Sequence, residues 1–180
     1  MKHSIDKEKY ISSGILLEMA KEEYTKERER ANSLDNKASF FMTVIVAIST
    51  IFVPIIPFSR IYSVYLTGSC FQKCCSSVLI LGLLSTFTIS IIAFQKLYNA
   101  YKLTDYMRPN LDVINGKQFH INRTDVVEKG LCDHYKTVVD DNIMVNNKKC
   151  IFINEGIRLS VISFLLLIIS TIGLIITIGG

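Results

Sequence analysis

The sequence predicts an all-α membrane protein: three transmembrane helices with cytoplasmic helical extensions and a small β-hairpin. Two observations carry this. Charged residues make up 20% of the 180-residue chain, close to the soluble norm, yet 49% of residues are hydrophobic and the mean hydropathy is +0.34, so the charge has to be segregated. Lys37 and Arg60 bracket 22 uncharged residues, Lys73 and Lys96 bracket another 22, and 22 more follow Arg158. At about 1.5 Å per residue each run makes a helix of roughly 33 Å, enough to cross a hydrocarbon core of about 30 Å. That pattern excludes a soluble enzyme, a secreted disulfide module and a disordered chain.

Residues 1–37 read as a cytoplasmic amphipathic helix from about Ser4 to Arg30. Leu16, Ala20, Tyr24, Ala31, Leu34 and Ala38 recur at helical spacing on one face, which leads into the first span, 38–58. The opposite face is a run of mixed charge in which Glu22 stands four residues before Lys26. Pro54 and Pro57 end or kink that span near the outer surface. An outer hairpin occupies 59–75, and the second span, 76–95, runs on as helix through Tyr98, Tyr101 and Met107 to Pro109.

Within the cytoplasmic segment 96–158, Asn115-Gly116 lies between short alternating runs, a β-hairpin signal over about 111–121. Helix resumes at Thr124 and continues to about Ile178. Val127, Leu131, Tyr135, Val138, Asn142, Val145 and Phe152 form its stripe on the way into the third span, 159–178.

Orientation follows from the basic residues. Residues 1–37 hold eight Lys and Arg, 59–76 hold two, and 96–158 hold ten, which together are all 20. The positive-inside rule puts the N-terminus and the middle segment in the cytoplasm of an inner, plasma-membrane protein, with the 59–75 connection and the C-terminus outside. No signal peptide is expected before the first span, because residues 1–37 carry sixteen charges. The net charge of +4 is then a topology signal, and no direct nucleic-acid binding is expected.

Polar residues inside the spans recur every seven residues: Asn36, Thr43, Thr50 and Pro57 in the first, Gly156, Ser163, Ser170 and Thr177 in the third. Gly82, Thr86 and Ser90 form a small-residue ridge in the second. Such seams pack helices against one another inside one protomer, or, after oligomerisation, line a polar pore. No ionisable residue lies inside a span, which argues against a proton-coupled carrier.

Catalytic signatures are missing. There is no Gly-rich phosphate loop, Ser-His-Asp set or Cys-x-x-Cys, and Asp133-His134 beside Asp140-Asp141 reads as a solvated helix face, so no enzyme activity and no cofactor are expected. Cys70, Cys74 and Cys75 fall in or beside the outer hairpin and Cys132 and Cys150 in the cytoplasm, a division that makes no four-ligand zinc site with the scattered histidines. Arg108, Lys117, Arg123 and Lys129 cluster around the hairpin and the helix start at Thr124, a basic site suited to an anionic ligand or to lipid headgroups.

The run from Lys26 through Asp35-Asn-Lys37-Ala38 to Phe41 resembles the Asp-x-Lys-Ala motif at which small bacterial anti-phage effectors enter the membrane. In arrangement the chain is similar to the Pycsar transmembrane effector family, with related two-span effectors in CBASS and retron systems. The second span, the Arg108-Pro109 break and the basic Asn147-Lys148-Lys149-Cys150 stretch before the last span continue the likeness in order. The resemblance implies a homo-oligomerising protein held inactive in the bilayer until a cyclic nucleotide, made by a signalling enzyme partner, triggers membrane permeabilisation. Asp35 and Lys37 also have a plain reading as interfacial anchors, one pairing or capping and the other reaching toward headgroups.

Overall fold

The computed structural model describes residues 10–103, 106–110 and 123–179. The elements in order are α1 (Ser13–Phe52), a 3₁₀ turn (Val53–Ile55), α2 (Phe58–Thr67), α3 (Cys70–Lys102) and α4 (Thr124–Gly179). Among the described residues no strand occurs, and three helices, α1, α3 and α4, are long and apolar enough to cross a membrane. The hairpin expected at 111–121 lies outside the described residues. The chain divides into two compact units: Met1–Leu34 with Leu103–Lys148, and Asp35–Lys102 with Lys149–Gly180.

In the first unit α1 turns Ser13, Leu17, Ala20, Tyr24, Glu27, Ala31 and Leu34 inward, in alternating steps of four and three. Leu17 takes the place expected of Leu16, which is exposed. On α4 the inward set of this unit is Asp125, Glu128, Cys132, Tyr135, Val139, Asn142 and Asn146. The expected stripe coincides with this set at Tyr135 and Asn142, its Val138 is buried beside Val139, and its Val127, Leu131 and Val145 fall one position before Glu128, Cys132 and Asn146. Tyr24 packs on Tyr135 edge-to-face at 5.9 Å and on Tyr106 at 6.3 Å. Helix α3 does not reach Pro109 but ends at Lys102. Buried Asn142 takes over the backbone of Met107 instead, accepting from its N–H at 2.8 Å and donating to its carbonyl at 3.1 Å.

In the second unit the same stepping gives Ala38, Phe41, Ile45, Ile48 and Phe52 on α1. Helix α3 contributes Ser76, Leu79, Leu83, Thr86, Ser90, Ala93, Leu97 and Ala100. Helix α4 contributes Lys149, Ile153, Gly156, Ser160, Ser163, Leu167, Ser170, Leu174 and Thr177. A 3.5-residue period on all three helices is the signature of left-handed knobs-into-holes packing. Ile56, Leu83, Leu167 and Leu174 form an apolar cluster within it.

Pro54 does end α1, through the 3₁₀ turn, and Ile56 ahead of Pro57 is extended, as a pre-proline residue prefers. The stretch expected as an outer hairpin is instead helix α2 followed by the first turn of α3. At Gly68 a Cβ would stand 2.5 Å from the Val64 carbonyl, so only glycine fits that close turn. A reciprocal cap starts α3: Gln72 N–H donates to Ser69 Oγ at 3.3 Å, and Ser69 N–H donates to Gln72 Oε1 at 3.0 Å.

Candidate functional site

The first unit has a polar interior. Fully buried Asn146 donates to the Glu27 carbonyl at 3.0 Å and to its carboxylate at 2.7 Å. Arg30 in turn donates to Glu27 at 3.3 Å and to Asn147 Oδ1 at 2.9 Å. Asn146 Oδ1 and Tyr106 Oη are buried with no hydrogen-bond partner among the described residues. Burial pushes the Tyr106 phenol up to about 12, with Tyr24 and the Glu27 carboxylate adding to the shift. At the other end of this unit Asp125 sits in the first turn of α4, where an acidic side chain suits the helix dipole, and accepts from the Tyr10 N–H at 3.1 Å.

That arrangement bears on the basic cluster. Arg123 grips Asp125 through two nitrogens at 3.1 and 3.3 Å, and Lys129 pairs with Asp133 at 2.5 Å, a hydrogen bond that raises the lysine pKa. Arg108 is exposed, and Lys117 lies outside the described residues. Two of the four cations are therefore already matched by carboxylates. His134 Nε2 accepts from the Asn110 N–H at 3.1 Å. Among the described residues no three His, Cys, Asp or Glu side chains gather as metal ligands, and all five cysteines are free thiols.

In the second unit the predicted seams of α3 and α4 meet. Ser90 and Ser163 share a hydrogen bond of 2.5 Å, and Ser163 also donates to the Thr86 carbonyl at 3.2 Å. A Cβ on Gly82 would stand 2.8 Å from Ser170 Oγ, and one on Gly156 would stand 2.7 Å from Leu97, so both glycines permit close helix approach. Thr177 is half-buried and donates to the Gly173 carbonyl.

The α1 seam does not join them. Asn36, Thr43 and Thr50 are exposed, and the two threonines bond back to Ser39 and Val46 carbonyls of their own helix. A period of seven places residues on one stripe without saying which; here Ala38, Ile45 and Phe52 hold the inner stripe and the polar set lies opposite.

Asp35 and Lys37 separate in the same way. Lys37 is exposed, whereas Asp35 receives Lys149 Nζ at 2.6 Å, with the lysine side chain only 4% exposed. Sequence reasoning missed Lys149 as a seam residue. The signal was there in its spacing from Asn142, Asn146, Ile153 and Gly156. Lys96 likewise pairs with Glu155 at 2.8 Å beside the Phe152 ring.

No family model, curated protein or solved structure matches the chain.

Proposed function

We propose that the chain is a non-enzymatic membrane effector of bacterial anti-phage defence. In this reading the first unit responds in the cytoplasm to a nucleotide signal or a partner enzyme, and the spans then rearrange and oligomerise to permeabilise the inner membrane. The observation that carries it is the hydroxyl seam of Thr86, Ser90 and Ser163, a polar stripe held shut by its own hydrogen bonds inside helices of membrane-spanning length. A second support is the polar core of the first unit. Layers built on Asn142, Asn146 and Glu27 give up apolar burial for directional contacts, as elements with two arrangements do. Exposed Phe58, Tyr62 and Tyr65 on α2 suit a membrane–water interface, and the distribution of basic residues about the spans supports a cytoplasmic N-terminus. The test is to induce the protein alone and with its genomic neighbours while following membrane potential. Depolarisation on triggering is expected; none under any triggering condition refutes the proposal.

A second reading, a non-catalytic adaptor that recruits a soluble partner, draws on Ile11, Ile15, Leu16 and Met19. These stand 46–83% exposed on one side of the first unit. Stoichiometric co-purification of a soluble protein without any change in permeability is the outcome that favours it.

A further inference from the structure

The second unit contains a half-enclosed cavity of about 260 Å³. Its apolar walls come from Phe41, Ile45 and Ile48 of α1, Phe87 of α3, and Phe164 and Leu167 of α4. Val161 and Phe164 are the exposed members of the lining and mark its mouth, on the outward side of α4. Phe164 also packs edge-to-face on Phe52 at 6.2 Å.

The polar groups around this cavity decide what it takes. Ser49 donates to the Ile45 carbonyl, Thr86 to Gly82 and Ser160 to Gly156. Ser163 donates to Thr86, and Ser90 shares its bond with Ser163. Every hydroxyl in the lining is thus engaged within the chain, and no charged side chain is among the described residues that line it. A nucleotide, an ion or a peptide would find no charge to pair with, and water needs two to four polar partners. An unfilled apolar cavity, on the other hand, loses stability in proportion to its volume. An apolar cavity of about 150 Å³ takes a benzene ring, so this one has room for a longer hydrocarbon segment.

We infer that this cavity is a binding site for the acyl chain of a bilayer lipid, entering between Val161 and Phe164. The inference rests on the membrane-spanning reading of α1, α3 and α4, because only there is hydrocarbon the surrounding solvent. It needs neither the effector nor the adaptor reading, and it gives the bundle a lipid as a structural ligand.

The experiment uses the full chain in nanodiscs of phosphatidylcholine doped with a phosphatidylcholine that carries a diazirine on its acyl chain. Label sites are mapped after photolysis. Outward-facing Leu81, Leu84 and Ile91 report contact with bulk lipid, and Phe41, Ile45, Phe87 and Leu167 report the cavity. Label is expected on both sets. Ser49→Leu and Ser160→Leu fill the cavity from different helices. Each removes a hydroxyl bonded only to a carbonyl of its own helix, so neither strands a buried partner. Either is expected to lower cavity label about tenfold, the factor for a lipid losing two buried methylenes, while outward label stays constant. Outward label without cavity label overturns the site, as does cavity label unchanged in both filled variants. Absence of label on both sets overturns the membrane-spanning reading and the site together.

Discussion

Tyr106 and Lys149 illustrate how single polar groups set the terms inside this chain. The Tyr106 hydroxyl is buried with no partner among the described residues, so Tyr106→Phe removes an unmet hydrogen-bonding group at no cost in packing. It is expected to stabilise the protein by about 1 kcal/mol, seen as a higher Tm. The same phenol gives a pH signature. An unfolded tyrosine ionises near pH 10, whereas the folded one holds its proton to about 12. Its contribution to stability is therefore complete below about pH 10 and is lost as pH rises from there toward 12. Alkaline melts of wild type and Tyr106→Phe should converge below pH 10 in slope and separate above it; parallel slopes throughout would refute the assignment. Lys149 poses the opposite problem, a buried charge with a partner. Asp35→Asn leaves its ammonium uncompensated and should cost on the order of 3 kcal/mol, the low end for a buried pair because Asp35 is itself 35% exposed. The double variant Asp35→Leu with Lys149→Met should return most of that loss.

At the level of elements, α4 was legible almost to the residue: expected from Thr124 to about Ile178, it runs Thr124–Gly179. Its membrane seam of Gly156, Ser163 and Ser170 is buried where the heptad put it. The start of α3 was not found, although Ser69 and Gln72 carry a capping box, because hydropathy located the apolar run and not the helix around it. The end of α3 was not legible for a different reason: a tertiary contact, Asn142 on the Met107 backbone, outcompetes a helix that local propensity would extend. The α1 polar seam failed because periodicity fixes a repeat and leaves its phase open, whereas the apolar stripe of α1 held at Ala20, Tyr24, Ala31, Leu34 and Ala38 and missed only at Leu16. Phase is set by what packs, and in the second unit that is the closeness allowed by small residues. Gly156→Ala puts a methyl group within 2.7 Å of Leu97, itself fully buried, and should destabilise the bundle by about 2 kcal/mol. Gly130→Ala, with open space around its Cβ, is the control and should be neutral or slightly stabilising as a helix substitution.

For the whole molecule, segregation of charge from apolar runs was enough to give the helical class and three spans, because both follow from length and composition. The candidate site was legible only in part. Hydroxyl and glycine positions could be read from spacing, and so could the i,i+4 pair of Lys129 with Asp133, but the grip of Arg123 on Asp125 depends on helix-end geometry and the pairing of Asp35 with Lys149 joins residues 114 apart in the chain. Under the proposed effector function, the seam between α3 and α4 is closed at rest and must part for the membrane to become permeable. The most direct measurement is membrane potential in cells carrying Ser90→Cys with Ser163→Cys, in a background where the five native cysteines are replaced, triggered by the neighbouring genes. The serine oxygens lie 2.5 Å apart, so a disulfide there ties α3 to α4. Oxidised cells should keep their potential and lose it when a reductant is added; depolarisation that proceeds equally with the disulfide intact would contradict the claim.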